Sequence, residues 1–290
     1  LICLSMSVSL AGNCTCTYSS RIVSGWEAAE GQFPYQLSLR TVNPSGAVFA
    51  CGASLIHEEW GLSAAHCTAG QVVLIVRAGS VSLTRPEVIF DTTEYYNHPE
   101  FNDDSPTTVQ TNDISIIKFN RVVPLSDLIK PVRLQSSFDK DKDYSGAIFQ
   151  VSGWGRTWTD GATPDILNWV YLRGISNEAC RLAYGNSPVI VDTTVCASFY
   201  NVTSQSICQG DNGGPLVVTD VDGVLSQVGI SSFVSGAGCH VGFPAGFVRP
   251  GHFHPWITEV TGVDLDWEPS ATTESLYMEP IYKLSDFNLY

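Results

Sequence analysis

The feature that most limits the fold of this chain is a series of short apolar or alternating segments separated by turn-forming residues. Runs of this length and pattern are typical of β-strands, and 25 glycines and 15 prolines provide the turns between them. Strands are predicted at residues 35–40, 53–56, 72–77, 114–119, 147–151, 167–172, 216–218 and 225–230. The pattern predicts an all-β fold, and periodicity alone is compatible with either a sandwich or a barrel.

Helical signals are few. Ser176 can act as the N-cap of a short helix that ends at Gly185. Near the C-terminal end of the body, Pro255 is suited to the first turn of a helix that continues through Trp256 and Ile257. The sequence therefore predicts two short helices, one of them C-terminal, within a β structure.

Composition excludes several classes of partner. Acidic residues outnumber basic ones 29 to 15, which gives a net charge of −14. Nucleic acids and anionic membranes attract positively charged proteins, so neither is an expected partner. No apolar segment is long enough to span a bilayer. We expect no metal and no cofactor.

The cysteines indicate an oxidising compartment. The chain has nine of them and no CxxC pair, which favours disulfides over a metal site. Residues 1–11 are apolar and small, and we interpret them as an incomplete signal peptide. Sequons at Asn13 and Asn201 fit a secreted glycoprotein. We therefore expect a secreted, extracellular protein.

The final residues, 264–290, differ from the rest in charge. They contain six acidic residues and one lysine, for a net charge of −5. A terminal segment this acidic is predicted to be a disordered tail. The alternative is a docking peptide that uses the aromatic residues Trp267, Tyr277, Tyr282, Phe287 and Tyr290.

Four motifs follow one another in the chain, and together they carry a family resemblance. They are Arg21-Ile22-Val23-Ser24-Gly25, Ser63-Ala64-Ala65-His66-Cys67, Asn112-Asp113-Ile114-Ser115-Ile116 and Cys208-Gln209-Gly210-Asp211-Asn212-Gly213-Gly214-Pro215-Leu216-Val217. Over roughly residues 21–260 the chain resembles the chymotrypsin family of serine endopeptidases. The resemblance implies two packed six-stranded antiparallel β-barrels with the active site in the cleft between them.

The resemblance assigns roles to three polar residues. His66 matches the general base and Asp113 the acid that orients it, because in a Ser-His-Asp triad the carboxylate fixes the tautomer of the imidazole. Ser232 matches the serine that donates a hydrogen bond to that carboxylate. Gly210 and Asn212 would provide the N–H groups of the oxyanion hole.

The nucleophile position departs from the family. The family turn reads Gly-Asp-Ser-Gly-Gly-Pro, but this chain has Asn212 in place of the serine. The lone pair of a carboxamide nitrogen is delocalised into the carbonyl group, so no acyl-enzyme is expected to form. We interpret the chain as a catalytically inactive homologue. The alternative is an active chymotrypsin-like endopeptidase, if Asn212 is a sequence error or another group rescues it.

The activation elements of the family are retained. Residues 12–21 resemble a propeptide that a trypsin-like protease would cut after Arg21. The new ammonium group of Ile22 would then pair with Asp211 in a buried ion pair, which would order the loops of the specificity pocket. The peptidase domain would span residues 22–263.

The resemblance also implies the disulfides and the pocket. The expected pairs are Cys51–Cys67, Cys180–Cys196 and Cys208–Cys239, whereas Cys14 and Cys16 have no assigned partner. Arg133 and Val218 are expected to occupy the two places of one absent bridge. Ser206 at the pocket floor, with Val234 and Ala245 on its walls, predicts a preference for small or medium apolar groups.

Three functions follow from this interpretation. The first is a non-catalytic protein that binds a peptide, a protease inhibitor or an active protease. The second is an active endopeptidase, and the third is a storage or structural protein that retains an old fold.

Overall fold

The computed structural model of the protein describes residues 25–269. The predicted signal peptide, the sequon at Asn13, and the activation residues Arg21 and Ile22 lie outside these residues. The predictions made for them remain predictions.

The described chain consists mainly of short strands. These are β1 (Trp26–Glu27), β2 (Gln36–Val42), β3 (Val48–His57), β4 (Trp60–Ser63), β5 (Val73–Ala78), β6 (Val88–Thr92), β7 (Tyr95–Asn97), β8 (Ser115–Lys118), β9 (Arg133–Leu134), β10 (Ile148–Gly153), β11 (Asn168–Ile175), β12 (Thr194–Phe199), β13 (Pro215–Thr219), β14 (Leu225–Phe233) and β15 (Ala245–Val248). The α-helices are α1 (Ala65–Thr68), α2 (Asn177–Ala183) and α3 (His254–Thr261), and short 3₁₀ turns occupy Ser137–Asp139 and Pro250–His252.

The strands form two sheets, of which one closes. In the C-terminal half the order is β11-β10-β13-β14-β15-β12, and β12 pairs again with β11, so these six strands form a closed barrel. In the N-terminal half the order is β6-β5-β2-β3-β4-β8-β7, which curls into a half-barrel. The all-β prediction is confirmed. The N-terminal unit differs from a closed six-stranded barrel, because no ladder within residues 25–269 joins β6 to β7.

Each predicted strand overlaps an observed one, and both predicted helices are present. The hydroxyl oxygen of Ser176 accepts from the N–H of Ala179 as the N-cap of α2, and Pro255 lies in the first turn of α3. The strands that the pattern did not reveal include β4 and β15, whose residues are buried throughout. Each has only four residues and contains a glycine, so it shows neither an apolar run nor an alternation long enough to predict a strand.

Buried polar contacts hold the two halves together. The hydroxyl of Ser152 on β10 donates to Gln36 at 2.6 Å, and the hydroxyl of Ser54 on β3 donates to Gln227 at the same distance. Gly52 and Gly214 pack so closely that a Cβ on Gly52 would lie 2.9 Å from the Cα of Gly214. These contacts place the ends of β4 and β8 opposite the turn that precedes β13.

The assignment of Arg133 and Val218 to the two places of one absent bridge is wrong. Arg133 pairs with Ser226 on one side of β14, and Val218 pairs with the same residue on the other side. Two strand spacings separate their backbones by about 10 Å, and a disulfide cannot span that distance. Val218 packs against the apolar cluster of the closed barrel.

The prediction of a disordered tail is wrong for residues 264–269. The N–H and hydroxyl groups of Ser137 both donate to the carboxylate of Asp266. The indole N–H of Trp267 donates to the carbonyl of Leu134 at 2.8 Å, and the guanidinium of Arg133 lies 3.6 Å from the centre of a Trp267 ring. The packed body therefore extends beyond the predicted boundary at residue 263. Residues 270–290 lie outside the described part.

Candidate active site

The pairing of β4 with β8 brings His66 to Asp113. Ser63 on β4 is opposite Ser115 on β8, and the chain enters α1 just after Ser63. His66 on α1 and Asp113, two residues before Ser115, therefore meet at the same end of the sheet. Asn112 has a φ of 57°, a left-handed conformation that asparagine tolerates, and the chain turns there toward Asp113.

Three donors surround the buried carboxylate of Asp113. The ring Nδ1 of His66 lies 2.7 Å from its Oδ2, and the hydroxyl of Ser232 donates to the same oxygen at 2.6 Å. The backbone N–H of His66 donates to Oδ1 at 2.8 Å. The roles predicted for His66, Asp113 and Ser232 therefore correspond to one connected network.

The network fixes the protonation of both partners. Burial alone would raise the pKa of Asp113, but the charge of His66 and the hydrogen bonds from His66 and Ser232 lower it. Burial alone would lower the pKa of His66, but the charge and hydrogen bond of Asp113 raise it. Because Asp113 is ionised, the Nδ1 atom of His66 carries a proton, and neutral His66 presents an unprotonated Nε2.

Asn212 lies across the cleft from this network. With His66 it lines a cavity of about 590 Å³, and its side chain is partly exposed. Its backbone is held in place, because its carbonyl accepts from the N–H of Gly52 at 2.7 Å. The next N–H along the chain, that of Gly213, donates to the carbonyl of Ser231 at 2.7 Å.

The turn before Asn212 contains two N–H groups with no protein acceptor among the described residues. Gly210 has a φ of 101°, which favours glycine. The carbonyl of Gln209 accepts from the N–H of Arg156 at 2.9 Å, so the following N–H, that of Gly210, points to the opposite side of the peptide plane. Within residues 25–269, the N–H groups of Gly210 and Asn212 donate to no protein acceptor. They match the predicted oxyanion donors.

Asp211 is fully buried behind this turn. Its carboxylate accepts from the N–H groups of Gly155 at 2.7 Å and Cys208 at 2.9 Å. Glycine is required beside it, since an added Cβ on Gly153 or Gly155 would lie 2.1 Å or 2.4 Å from its carboxylate. Burial raises the pKa of Asp211 to about 6, although the two N–H groups act in the opposite direction.

The three predicted disulfides are all present: Cys51–Cys67, Cys180–Cys196 and Cys208–Cys239. The first lines the cleft beside His66. It joins β3 to α1 and so ties the helix that carries His66 to the half-barrel.

The predicted pocket residues separate into two groups. Val234 lines the cleft next to Ser232 and Phe233. Ser206 and Ala245 are buried and are not among the cleft-lining residues. Phe233 turns away from solvent and packs over Gly246, where an added Cβ would lie 2.1 Å from the phenyl ring. The second sequon residue, Asn201, is exposed on the loop after β12.

One wall of the cleft was not predicted from the sequence. The loop segment 106–109 lines the cavity, and Gln110 holds that loop. The amide of Gln110 donates to the carbonyls of Asn102 and Ser105, and its oxygen accepts from the N–H of Asn102. The turn-forming residues between 102 and 106 were the available signal, but they indicate a loop without indicating where it packs.

The fold and the site define a trypsin-like serine protease domain, and comparisons with known proteins agree. The sequence model of the trypsin family matches residues 22–257. The chain is 36% identical over 243 residues to a collagenase of Hypoderma lineatum, covering 84% of this chain and 88% of that protein. It is 35% identical over 248 residues to trypsin 5G1 of Aedes aegypti, covering 84% and 86%.

A solved structure supports the same assignment. That structure, of HL collagenase, superposes with a TM-score of 0.73 at 35% identity and covers 83% of this chain and 99% of its own. The chain belongs to the trypsin family. Among the described residues, no helix has the length and apolar character needed to cross a bilayer.

Proposed function

We propose that this protein is a secreted, non-catalytic serine protease homologue that binds a peptide segment of a protein partner in its cleft. The observation that carries the proposal is the position of Asn212. It lies in the turn that faces His66, within a site whose other polar groups are in place.

The chemistry of the side chain supports inactivity. A carboxamide cannot give up a proton to a neutral imidazole near neutral pH, and its nitrogen is a poor nucleophile. Removing the nucleophile of a serine protease costs about a millionfold in turnover. Binding and the oxyanion donors survive such a change, because both depend on backbone groups and cleft shape.

The described serines offer no replacement for the nucleophile. The hydroxyl of Ser232 already donates to Asp113, and that of Ser63 donates to the carbonyl of Gly52. Ser231 is buried in β14. Within residues 25–269, no serine hydroxyl forms a hydrogen bond with Nε2 of His66.

Several features support a binding role. The cleft is open, its lining includes the apolar residues Phe49 and Val234, and it has N–H donors at Gly210 and Asn212 that pair with no described acceptor. A peptide carbonyl is the natural acceptor for such donors. Three disulfides are expected for an extracellular protein.

The second candidate function is an active serine endopeptidase. The intact His66–Asp113–Ser232 network favours it, and so do relatives that are named as a collagenase and a trypsin. It requires residue 212 to be a serine in the natural protein, which sequencing the codon decides.

A fluorophosphonate probe separates the two candidates. The full chain, cut after Arg21, is expected to remain unlabelled because Asn212 has no hydroxyl to phosphonylate. The cut protein should still bind immobilised peptide-like protease inhibitors, and Val234→Arg, which places a charge in the cleft, should abolish that binding. Stoichiometric labelling in the cleft would overturn inactivity. Failure to bind any such inhibitor would overturn the cleft-binding role.

A further inference from the structure

Two arginines lie together on the outer surface of the half-barrel. Leu39 on β2 and Val76 on β5 point into the core, so the alternation of strands places Arg40 and Arg77 on the opposite side. Arg40 is opposite Ile75 and Arg77 is opposite Ser38, which makes the two arginines diagonal neighbours. Long side chains at such positions reach each other.

The arginines have no acidic partner among the described residues. Within residues 25–269, the side chain of neither arginine forms a salt bridge or a hydrogen bond. Asp91, on the adjacent strand β6, is opposite Ile75 and therefore lies on the same face, diagonal to Arg77, but it forms no salt bridge with either arginine. Burial, and then the charge of Arg77, lower the pKa of Arg40, as expected for two neighbouring cations that no anion neutralises. With Asp91 counted, these three side chains carry a net charge of +1 in a chain whose net charge is −14.

Apolar side chains border the pair. Ile89 is opposite Arg77 and is 52% exposed, and Val48, at the start of β3, is 60% exposed. We call the surface formed by Arg40, Ile75, Arg77, Ile89 and Val48 the arginine face. Arginine binds carboxylates through two parallel hydrogen bonds and also stacks on aromatic rings. The arginine face is therefore suited to a peptide that carries both carboxylates and apolar rings.

Residues 270–290 of this chain have that composition. Their acidic residues are Glu274, Glu279 and Asp286, and their aromatic residues are Tyr277, Tyr282, Phe287 and Tyr290. The residues just before them already bind the body in this way: the ring of Trp267 stacks on Arg133, and Asp266 accepts hydrogen bonds from Ser137. Stacking of an aromatic ring on an arginine and hydrogen bonds to a carboxylate therefore already hold the residues from which the tail continues.

The tail is long enough to reach the arginine face. Val132 donates to the carbonyl of Leu55, so the region beneath Trp267 adjoins β3. The path runs from Trp267 past Leu55 on β3 and then across β2 to Arg77 on β5. Its total length is about 30 Å. A random-coil chain of about this length spans about 25 Å on average, and a fully extended one spans about 70 Å. Attachment to the same chain also raises its effective concentration to the millimolar range.

We propose that residues 270–290 dock in cis on the arginine face through their carboxylates and aromatic rings. The arginine face shares strands β2 and β3 with one wall of the cleft, where Thr41 and Phe49 line the cavity. The docked segment would therefore lie beside the cleft. The proposal does not depend on whether residue 212 supports catalysis.

Photocrosslinking in the full-length protein tests the proposal. With Tyr282 replaced by benzoylphenylalanine, irradiation should join the tail to peptides from β2, β5 or β6 of the same chain. The yield should fall as ionic strength rises, because part of the attraction is between charges. Arg40→Glu combined with Arg77→Glu should reduce the yield at least about tenfold, given the cost of like charges across a contact.

Two controls make the outcome decisive. Arg121→Glu changes an exposed arginine that follows β8, at the other end of the sheet order, and should leave the yield unchanged. If the double arginine variant does not fold, the combined Glu274→Gln, Glu279→Gln and Asp286→Asn variant tests the same attraction from the tail side. Crosslinks to another surface, a yield insensitive to both sets of changes, or crosslinks only between two copies would each overturn docking in cis.

Discussion

The two sides of the cleft are held in different ways. On the His66 side every functional side chain is fixed by hydrogen bonds to a buried carboxylate, so the catalytic groups are also parts of the fold. On the Asn212 side the backbone is fixed, but the side chain forms no hydrogen bond with another described residue. Changing the side chain at position 212 therefore changes the reaction that the site can carry out but costs little stability of the fold. Replacing Asp113 would lower both the catalytic capability of the site and the stability of the fold.

The largest effect should come from restoring the nucleophile. Asn212→Ser in the protein cut after Arg21 should regain peptidase activity, with a gain that approaches the millionfold typical of a triad serine. Hydrolysis of short apolar peptide substrates measures it. Asn212→Ser combined with His66→Ala should remain silent. If Asn212→Ser is also silent although cleavage at Arg21 is confirmed, then the oxyanion side of the site is not competent and the contrast between the two sides is wrong.

The next effect concerns the tie between α1 and the half-barrel. Replacing both Cys51 and Cys67 by alanine should lower the free energy of unfolding by about 2–5 kcal/mol, the usual cost of losing a native disulfide. Urea unfolding under non-reducing conditions measures the change. Asn212→Ala is the matched comparison on the other side of the cleft and should cost less than about 1 kcal/mol. Equal decreases in the free energy of unfolding for the two variants would contradict the proposed difference between the two sides of the cleft.

Asp211 should make the uncut protein less stable as the pH rises through mild acid. Its folded-state pKa of about 6 lies above the ordinary value of 3.8, so between these values the folded state holds the proton more firmly. The free energy of unfolding should therefore fall by about 3 kcal/mol across this window. Urea unfolding at a series of pH values measures it, and Asp211→Asn should show no such decrease. The same slope in both proteins would exclude Asp211 as its source.

Cleavage after Arg21 should remove this decrease in the free energy of unfolding. If the ammonium group of Ile22 pairs with Asp211, as the family resemblance implies, the pKa of Asp211 falls and the decrease between the two pH values disappears. Hydrogen exchange over residues 204–240 should then slow after cleavage. Identical exchange and identical pH dependence in the cut and uncut proteins would show that the activation switch no longer operates.

The smallest expected effect is the difference in stability between variants of two polar side chains of the cleft, Ser232 and Asn212. Ser232→Ala removes a donor to the buried carboxylate of Asp113 and should cost about 1–3 kcal/mol of stability. It should also raise the pKa of Asp113, because a hydrogen bond that lowers it is lost. Calorimetric unfolding beside Asn212→Ala measures the difference. A loss for Ser232→Ala no larger than that for Asn212→Ala would argue against this asymmetry of the cleft.

Much of the site was predictable because its motifs are local. His66, Asp113 and the turn around Asn212 each lie within a run of residues whose order identifies the family, and the three disulfides follow from the same resemblance. Strand β2 was visible because apolar and polar residues alternate along it, although its polar Gln36 and Ser38 are buried, and β5 was visible as a nearly continuous apolar run. Strands β4 and β15 were not, because each has only four residues and a glycine interrupts its apolar residues.

The sequence by itself therefore determined the β class, the identity of the polar groups and the substitution at residue 212. Only the tertiary structure decided that the N-terminal sheet remains a half-barrel, that Arg133 and Val218 flank β14, and that residues 264–269 pack on the body. It also decided that Arg40 and Arg77 adjoin without forming an ion pair to a described carboxylate. These features depend on strand register and on contacts between distant segments, and neither is encoded in the residues next to each position.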